Sequence, residues 1–315
     1  MEKSKYKVYS SYLKDKYSEK VYRIPVNLPV TCPNRDGNIG RGGCTFCSDL
    51  GAGFESLSND MSVKSQLERN MDYIGNKYNA KKFIAYFQNY TNTYMELDMF
   101  KRVIREAILP GVVEIAVSTR PDSLREDYLE ELKKLKEEGI EVTVEMGLQT
   151  VNYKTLKRIN RGHSLAEFIE AINLVKSYGL ETCVHMILNL PGDDEEDIIE
   201  GAKILSALKV DGVKLHSLYI VRGTKMAEEY VSGKIEMIDL DEYVKRTALF
   251  LSYLNPDMVI QRLIGRVPEE ESLFCNWNTS WWKIKDMIEE YMEKEGLYQG
   301  KYFDYLGGKA LRGRV

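Results

Sequence analysis

Six short runs rich in β-branched and aromatic residues alternate with amphipathic runs of helical length. The first set is VYRIPVNL from Val21, FIAYF from Phe83, VVEIAVS from Val112, IEVTVEMGL from Ile140, ETCVHMILNL from Glu181 and GVKLHSLYI from Gly212. Between them lie MSVKSQLERNMDYIGNKY, MELDMFKRVIREAI, SLREDYLEELKKLKEEG, SLAEFIEAINLVKSYG and DDEEDIIEGAKILSALK. Strand, helix, strand, repeated in this way, calls for a parallel sheet with helices outside it. Ser123 and Ser164 suit helix N-caps, and Gly139 and Gly179 suit the position just past a helix end. Six units go only part of the way around a (β/α)8 barrel, so an open barrel and a doubly wound sheet both fit. In either, chemistry belongs at the C-terminal ends of the strands. The character changes after Pro256, where DMVIQRLIG can add a strand before the Trp-rich NWNTSWW and a final helix, KIKDMIEEYMEKEG. The expected division is an N-terminal segment (1–20), the sheet-and-helix body (21–255) and a C-terminal extension packed on it (256–315).

The chain has 315 residues, 43% hydrophobic and 29% charged, which is enough apolar material for a large core. A net charge of -4 argues neither for nor against nucleic acid, because a local basic groove can sit inside an acidic total. No apolar run approaches the roughly 20 residues of a membrane span, and MEKSKYKVYSSYLKDKYSEK has no apolar signal core. The expectation is a cytoplasmic protein with no membrane partner. Without export, metal binding or catalysis is a better use for cysteine than disulfides. GNIGRGG lacks the register of a dinucleotide fingerprint, so no NAD or nucleoside triphosphate site is assigned.

Three of five cysteines lie in CPNRDGNIGRGGCTFC, directly after the first strand. Cys32, Cys44 and Cys47 have the spacing C-x11-C-x2-C. Soft thiolates suit zinc or iron–sulfur chemistry. Structural zinc wants four closed ligands, and no second pair is at hand: Cys183 falls inside a strand and Cys275 is distant. Three thiolates on one loop leave a metal with an open position. For a cubane [4Fe-4S] cluster, that is one iron free for a small ligand. Gly40, Gly42 and Gly43 let the loop curl around such a group. Inert reduced thiols and a zinc site are the rival readings.

With C-T-F-C as a C-x-aromatic-C ending, the sequence resembles the radical S-adenosylmethionine (SAM) superfamily. The long gap before it is similar to the YhcC/YtqA-like subgroup, related to the radical SAM domain of the Elongator catalytic subunit. The resemblance implies a partial (β/α)6 TIM-like barrel with a C-terminal extension. It implies a [4Fe-4S] cluster on Cys32, Cys44 and Cys47 that cleaves SAM reductively and generates a 5′-deoxyadenosyl radical. It also implies cofactor contacts from Phe46; from Gln88 and Asn89 in FQNYTNTY; from Ser118 in VSTRPDSL; from Gln149 as a ribose contact; from Arg161 on the SAM carboxylate; and from Asn189 in LNLPGDDEED. Chemistry makes matching demands: a guanidinium binds a carboxylate bidentately, and an amide side chain offers a diol both donor and acceptor. A surface arginine, a capping glutamine and a simple Pro191-Gly192 turn compete with these assignments.

His185 and His216 alternate within apolar strands and are candidate substrate contacts, with Tyr219 and Arg222; a satisfied core histidine is the competing reading. Arg222, Lys225, Arg262 and Arg266 can line a phosphate path. The Elongator likeness implies tRNA as the substrate, through a wobble-uridine side chain, and an electron donor such as flavodoxin or ferredoxin as a partner. The alternatives are a radical SAM enzyme acting on a small metabolite, or a non-catalytic metal- or RNA-binding module.

Overall fold

A computed structural model describes residues 4–48, 56–265 and 267–313. The elements in chain order are α1 (Tyr9–Tyr17), β1 (Val21–Val26), α2 (Val63–Tyr78), β2 (Lys82–Phe87), α3 (Leu97–Arg105), β3 (Val112–Thr119), α4 (Glu126–Glu137) and β4 (Glu141–Gln149). There follow α5 (Tyr153–Arg158), α6 (Leu165–Ser177), β5 (Glu181–Ile187), α7 (Glu195–Ala207), β6 (Gly212–His216), β7 (Ile220–Val221), α8 (Lys225–Val231), α9 (Leu240–Tyr253), β8 (Val259–Arg262), β9 (Ser272–Phe274) and α10 (Trp281–Lys294). Seven strands form one parallel sheet in the order β1-β2-β3-β4-β5-β6-β8. Sequential order without a switch point is that of a curling barrel wall, not of a doubly wound sheet. The curl brings the two outer strands together, and Arg23 Nη1 on β1 donates to Gln261 Oε1 on β8 at 2.8 Å. The seventh strand comes from DMVIQRLIG.

Helices cover the outer face because their apolar stripes match the strands' outward residues. Phe100, Leu129, Leu132, Phe168 and Ile172 are all buried in one core with Ile115, Val142 and Val144. Ser164 caps α6 through a box with Glu167, and Gly139 (φ 92°) and Gly179 (φ 70°) end α4 and α6 as expected. Ser123 does not cap α4; it closes a 3-10 turn at Pro121–Ser123, and α4 begins at Glu126. The rigid Pro121 starts that turn directly after β3, which delays the helix.

Two further features were not part of the sequence expectation. GVKLHSLYI is not one strand: β6 stops at His216, and β7 pairs antiparallel with β9. The chain is diverted where Asn189 Oδ1 accepts from Leu218 N at 2.6 Å and Ser217 Oγ bonds Asn276 Oδ1 at 2.5 Å. The N-terminal segment is also structured. Val8 bridges Ile260, and α1 lies across the N-terminal end of the barrel. There Lys16 Nζ meets Glu181 at 2.7 Å and Tyr17 donates to the buried Glu114 at 2.8 Å. Among the described residues no helix is long and apolar enough to cross a membrane.

Candidate active site

The C-terminal ends of the strands open onto a cavity of about 670 Å³. Its upper wall is the cysteine loop, and Cys32, Cys44 and Cys47 all line it. Each sulfur faces a different guanidinium. Arg161 Nη1 donates to Cys44 Sγ at 3.5 Å, Arg35 Nη1 to Cys47 Sγ at 3.6 Å, and Arg120 Nη1 points at Cys32 Sγ from 4.0 Å. Burial pushes the Cys47 thiol up to about 11, with Cys44 adding and Arg35 opposing. A bound metal is the natural counter-charge for thiolates in such a place.

The arginines are themselves fixed. Arg120, only 2% exposed, forms a two-point pair with Asp122 (2.8 and 2.7 Å), which gives T-R-P-D its structural sense. Arg161 is 8% exposed, and its Nη2 donates to Gly147 O at 2.6 Å. Gly147 is needed for this approach: a Cβ there would come within 2.8 Å of Arg161 Nη2 and 2.5 Å of Gln149 Nε2. Gln149 ends β4 with φ 77°, a left-handed bend that a non-glycine residue adopts only when its surroundings impose it.

Of the expected cofactor and substrate residues, Phe46, Gln88, Ser118, Gln149, Arg161, His185, His216 and Tyr219 line the same cavity as the three cysteines. Three others lie elsewhere. Asn89 Nδ2 donates to Asn27 Oδ1 at 2.6 Å and ties the end of β2 to that of β1. Asn189 holds the backbone at Leu218. Arg222 lines a separate groove of about 350 Å³ behind the cysteine loop, with Arg41 and Lys225. Arg262 lines the main cavity, and Arg266 lies outside the described residues. Trp277 packs on Tyr243 and Phe274 and donates to Ile238 O at 2.7 Å, whereas Trp281 and Trp282 are exposed.

The floor of the cavity holds charges that the sequence reading did not single out. Glu145, buried on β4, accepts from Arg23 Nη2 at 2.6 Å, Lys214 Nζ at 2.7 Å and His185 Nε2 at 2.9 Å. Burial pushes its carboxyl up, but Arg23, Lys214 and His185 outweigh that and hold it well below the usual carboxylate range. Tyr86 lies under two cations, with the Arg23 guanidinium 3.8 Å and Lys214 Nζ 4.5 Å from its ring centre. The available signal was a charge inside each apolar run: Arg in VYRIPV, Glu in EVTVEMGLQ and Lys in GVKLH.

The chain belongs to the radical SAM superfamily: that family's model matches residues 30–205, and the Radical_SAM C-terminal domain matches 210–294. Members of the family use a [4Fe-4S] cluster and SAM. The chain is 33% identical over 303 residues to the uncharacterized protein YtqA of Bacillus subtilis, covering 96% of this chain and 94% of that one. It is 24% identical over 201 residues to the tRNA uridine(34) acetyltransferase of Methanocaldococcus jannaschii, covering 62% of this chain and 35% of that protein. The fold is similar to that of the archaeal Methanocaldococcus infernus Elp3 with an N-terminus deletion (TM-score 0.65, 20% identity, 89% of this chain and 64% of that one).

The donor set fits these cofactors. Among the described residues, the metal-binding grouping with ligand atoms all within 4.8 Å is Glu145, Cys183 and His185; the three loop thiols do not form one. Their wider spacing suits the corners of a multi-iron cluster better than one ion. Arg161 Nε and Thr91 Oγ1 are buried at this cavity without a partner among the described residues, as groups awaiting a ligand are.

Proposed function

We propose that this chain is a cytoplasmic radical SAM enzyme that modifies the side chain of a uridine in tRNA. The reading of the site rests on the meeting of three cysteines and three arginines at one cavity mouth. Cys32, Cys44 and Cys47 would hold three irons and leave the fourth to the SAM amino and carboxylate groups. Arg161 is proposed to pair with that carboxylate, Ser118 and Gln149 to meet the ribose, and Phe46 and Gln88 to border the rest of the molecule. Together the cluster and SAM supply a one-electron route to hydrogen abstraction from an unactivated carbon. The protein's share is to hold reactants in contact and keep water out, which the barrel wall and the α1 plug below it serve.

The uridine reading is supported by the likeness to a tRNA uridine(34) acetyltransferase. This chain spans only 35% of that protein, so acetyl transfer is not carried over. A base would have to leave its stack to enter the cavity. A low-potential one-electron carrier, flavodoxin or ferredoxin, is the proposed partner. The groove carrying Arg41, Arg222 and Lys225 borders Cys44 and Cys47 and offers an acidic carrier a complementary surface.

The test is a comparison of tRNA nucleosides from cells with and without the protein, together with tRNA binding at rising salt. A changed uridine and a steep loss of binding are expected. An identical nucleoside profile with no binding at low salt overturns the tRNA reading and leaves a small metabolite as substrate.

A further inference from the structure

The cavity floor carries more positive charge than it neutralises. Register places His185, Lys214 and Arg262 side by side on β5, β6 and β8. Glu145 lies on β4, four residues before Gln149, hence about 13 Å deeper along the strand. Both of its oxygens are taken, Oε1 by Arg23 and Oε2 by Lys214 and His185. Arg262 has no carboxylate partner among the described residues; its Nη2 lies 2.7 Å from His216 Nδ1. His185 and His216 stack at 5.2 Å, and burial holds both below their ordinary range, His185 at about 4, so neither adds charge at neutral pH. Arg23, Lys214 and Arg262 therefore face one carboxylate.

Lys214 is buried against Glu145, whereas Arg262 is exposed beside it, so the two put adjacent cations on one cavity wall, one of them open to a ligand's charge-assisted bond. A metal at Glu145, Cys183 and His185 does not answer this excess. It would add positive charge and displace Lys214 from Glu145, and burial raises the Cys183 thiol well above its ordinary range. The Tyr86 ring is already engaged by Arg23 and Lys214, and its oxygen accepts from Lys214 Nζ at 3.0 Å. What the floor lacks is an anion.

We propose that Lys214 and Arg262 form a receptor for an anionic group of the substrate, a carboxylate or a phosphoryl group, on the β6–β8 wall of the cavity. The proposal rests on this cavity being the substrate site of the radical SAM reaction. In the uridine reading it assigns the anion to the far end of a substituent on the base, because backbone phosphates stay with the ribose outside. Holding the anion on the β6–β8 wall fixes how the rest of the substrate lies relative to the cofactor residues that line the same cavity.

The test is calorimetric titration of the reconstituted, SAM-bound protein at pH 7 with N-acetylglycine, its neutral twin N-acetylglycinamide, and methyl phosphate. The acid or the phosphate is expected to bind at least tenfold tighter than the amide; which of the two wins identifies the group. Arg262→Gln should lose about tenfold for the anion, as expected for one charge-assisted bond, with SAM affinity unchanged. Arg262 is open to the cavity, so this variant leaves no buried carboxylate unpaired. Neither anion binding tighter than the amide, no binding by any probe, or an unaffected Arg262→Gln overturns the proposal. Anion binding with unmodified tRNA profiles sinks only the uridine reading; altered profiles without anion binding sink only this one.

Discussion

Arg161 Nη1 donates to Cys44 Sγ at 3.5 Å across 117 residues of chain, while the same guanidinium donates from Nη2 to Gly147 O. One planar group thus connects the cysteine loop to the end of β4, and its Nε remains without a partner among the described residues. A lysine would keep the charge but not the fork. Arg161→Lys should weaken SAM binding tenfold or more while iron content stays near wild type. Equilibrium dialysis with SAM, alongside iron assay, checks this split.

Gly147→Ala approaches the same contact from the backbone. The added methyl would press on the Gln149 amide and the Arg161 guanidinium, both far ends of flexible side chains. The fold should therefore tolerate it with a small shift in melting temperature, while SAM affinity falls about tenfold as both side chains are displaced. Calorimetric melts and SAM titration separate the two effects.

The anion receptor carries a pH signature. Burial lowers Lys214 to about 8, although Glu145 pulls the other way. Several groups around it do not titrate between pH 6 and 9: His185 and His216 lie lower, Tyr86 and Cys183 lie higher, Glu145 stays ionised, and Arg23 stays charged. Lys214 loses its charge as pH rises past 8, so anion affinity should fall above that pH by up to about tenfold per unit. Titrations at pH 7, 8 and 9 measure this. Affinity that is flat or rises with pH contradicts the role of Lys214.

The sheet was readable because each strand is a compact β-branched run closed by turn residues. The cysteine loop was readable because three thiols sit where a barrel keeps its chemistry. α1 was not, because YSSYLKDKY has little apolar patterning and fully buries only Leu13; it is held by Lys16 and Tyr17 bonding acidic residues from distant strands. Arg23, Glu145 and Lys214 escaped notice for a related reason. Alone, each looks like a charge on a solvent face; only closure of the barrel turns those faces inward onto one another. Asn89 and Asn189 show the reverse: polar residues at motif positions whose side chains brace loops beside the cavity.

Cys32, Cys44 and Cys47 are proposed to anchor a cluster with one iron open to SAM. The most direct measurement is iron content and 5′-deoxyadenosine formation after anaerobic reconstitution and reduction, for wild type and Cys44→Ala. Expected are about four irons per chain in wild type, formation of 5′-deoxyadenosine, and loss of that product in the variant. Iron-free wild-type protein that still performs its reaction, or a Cys44→Ala variant that cleaves SAM at the wild-type rate, contradicts it.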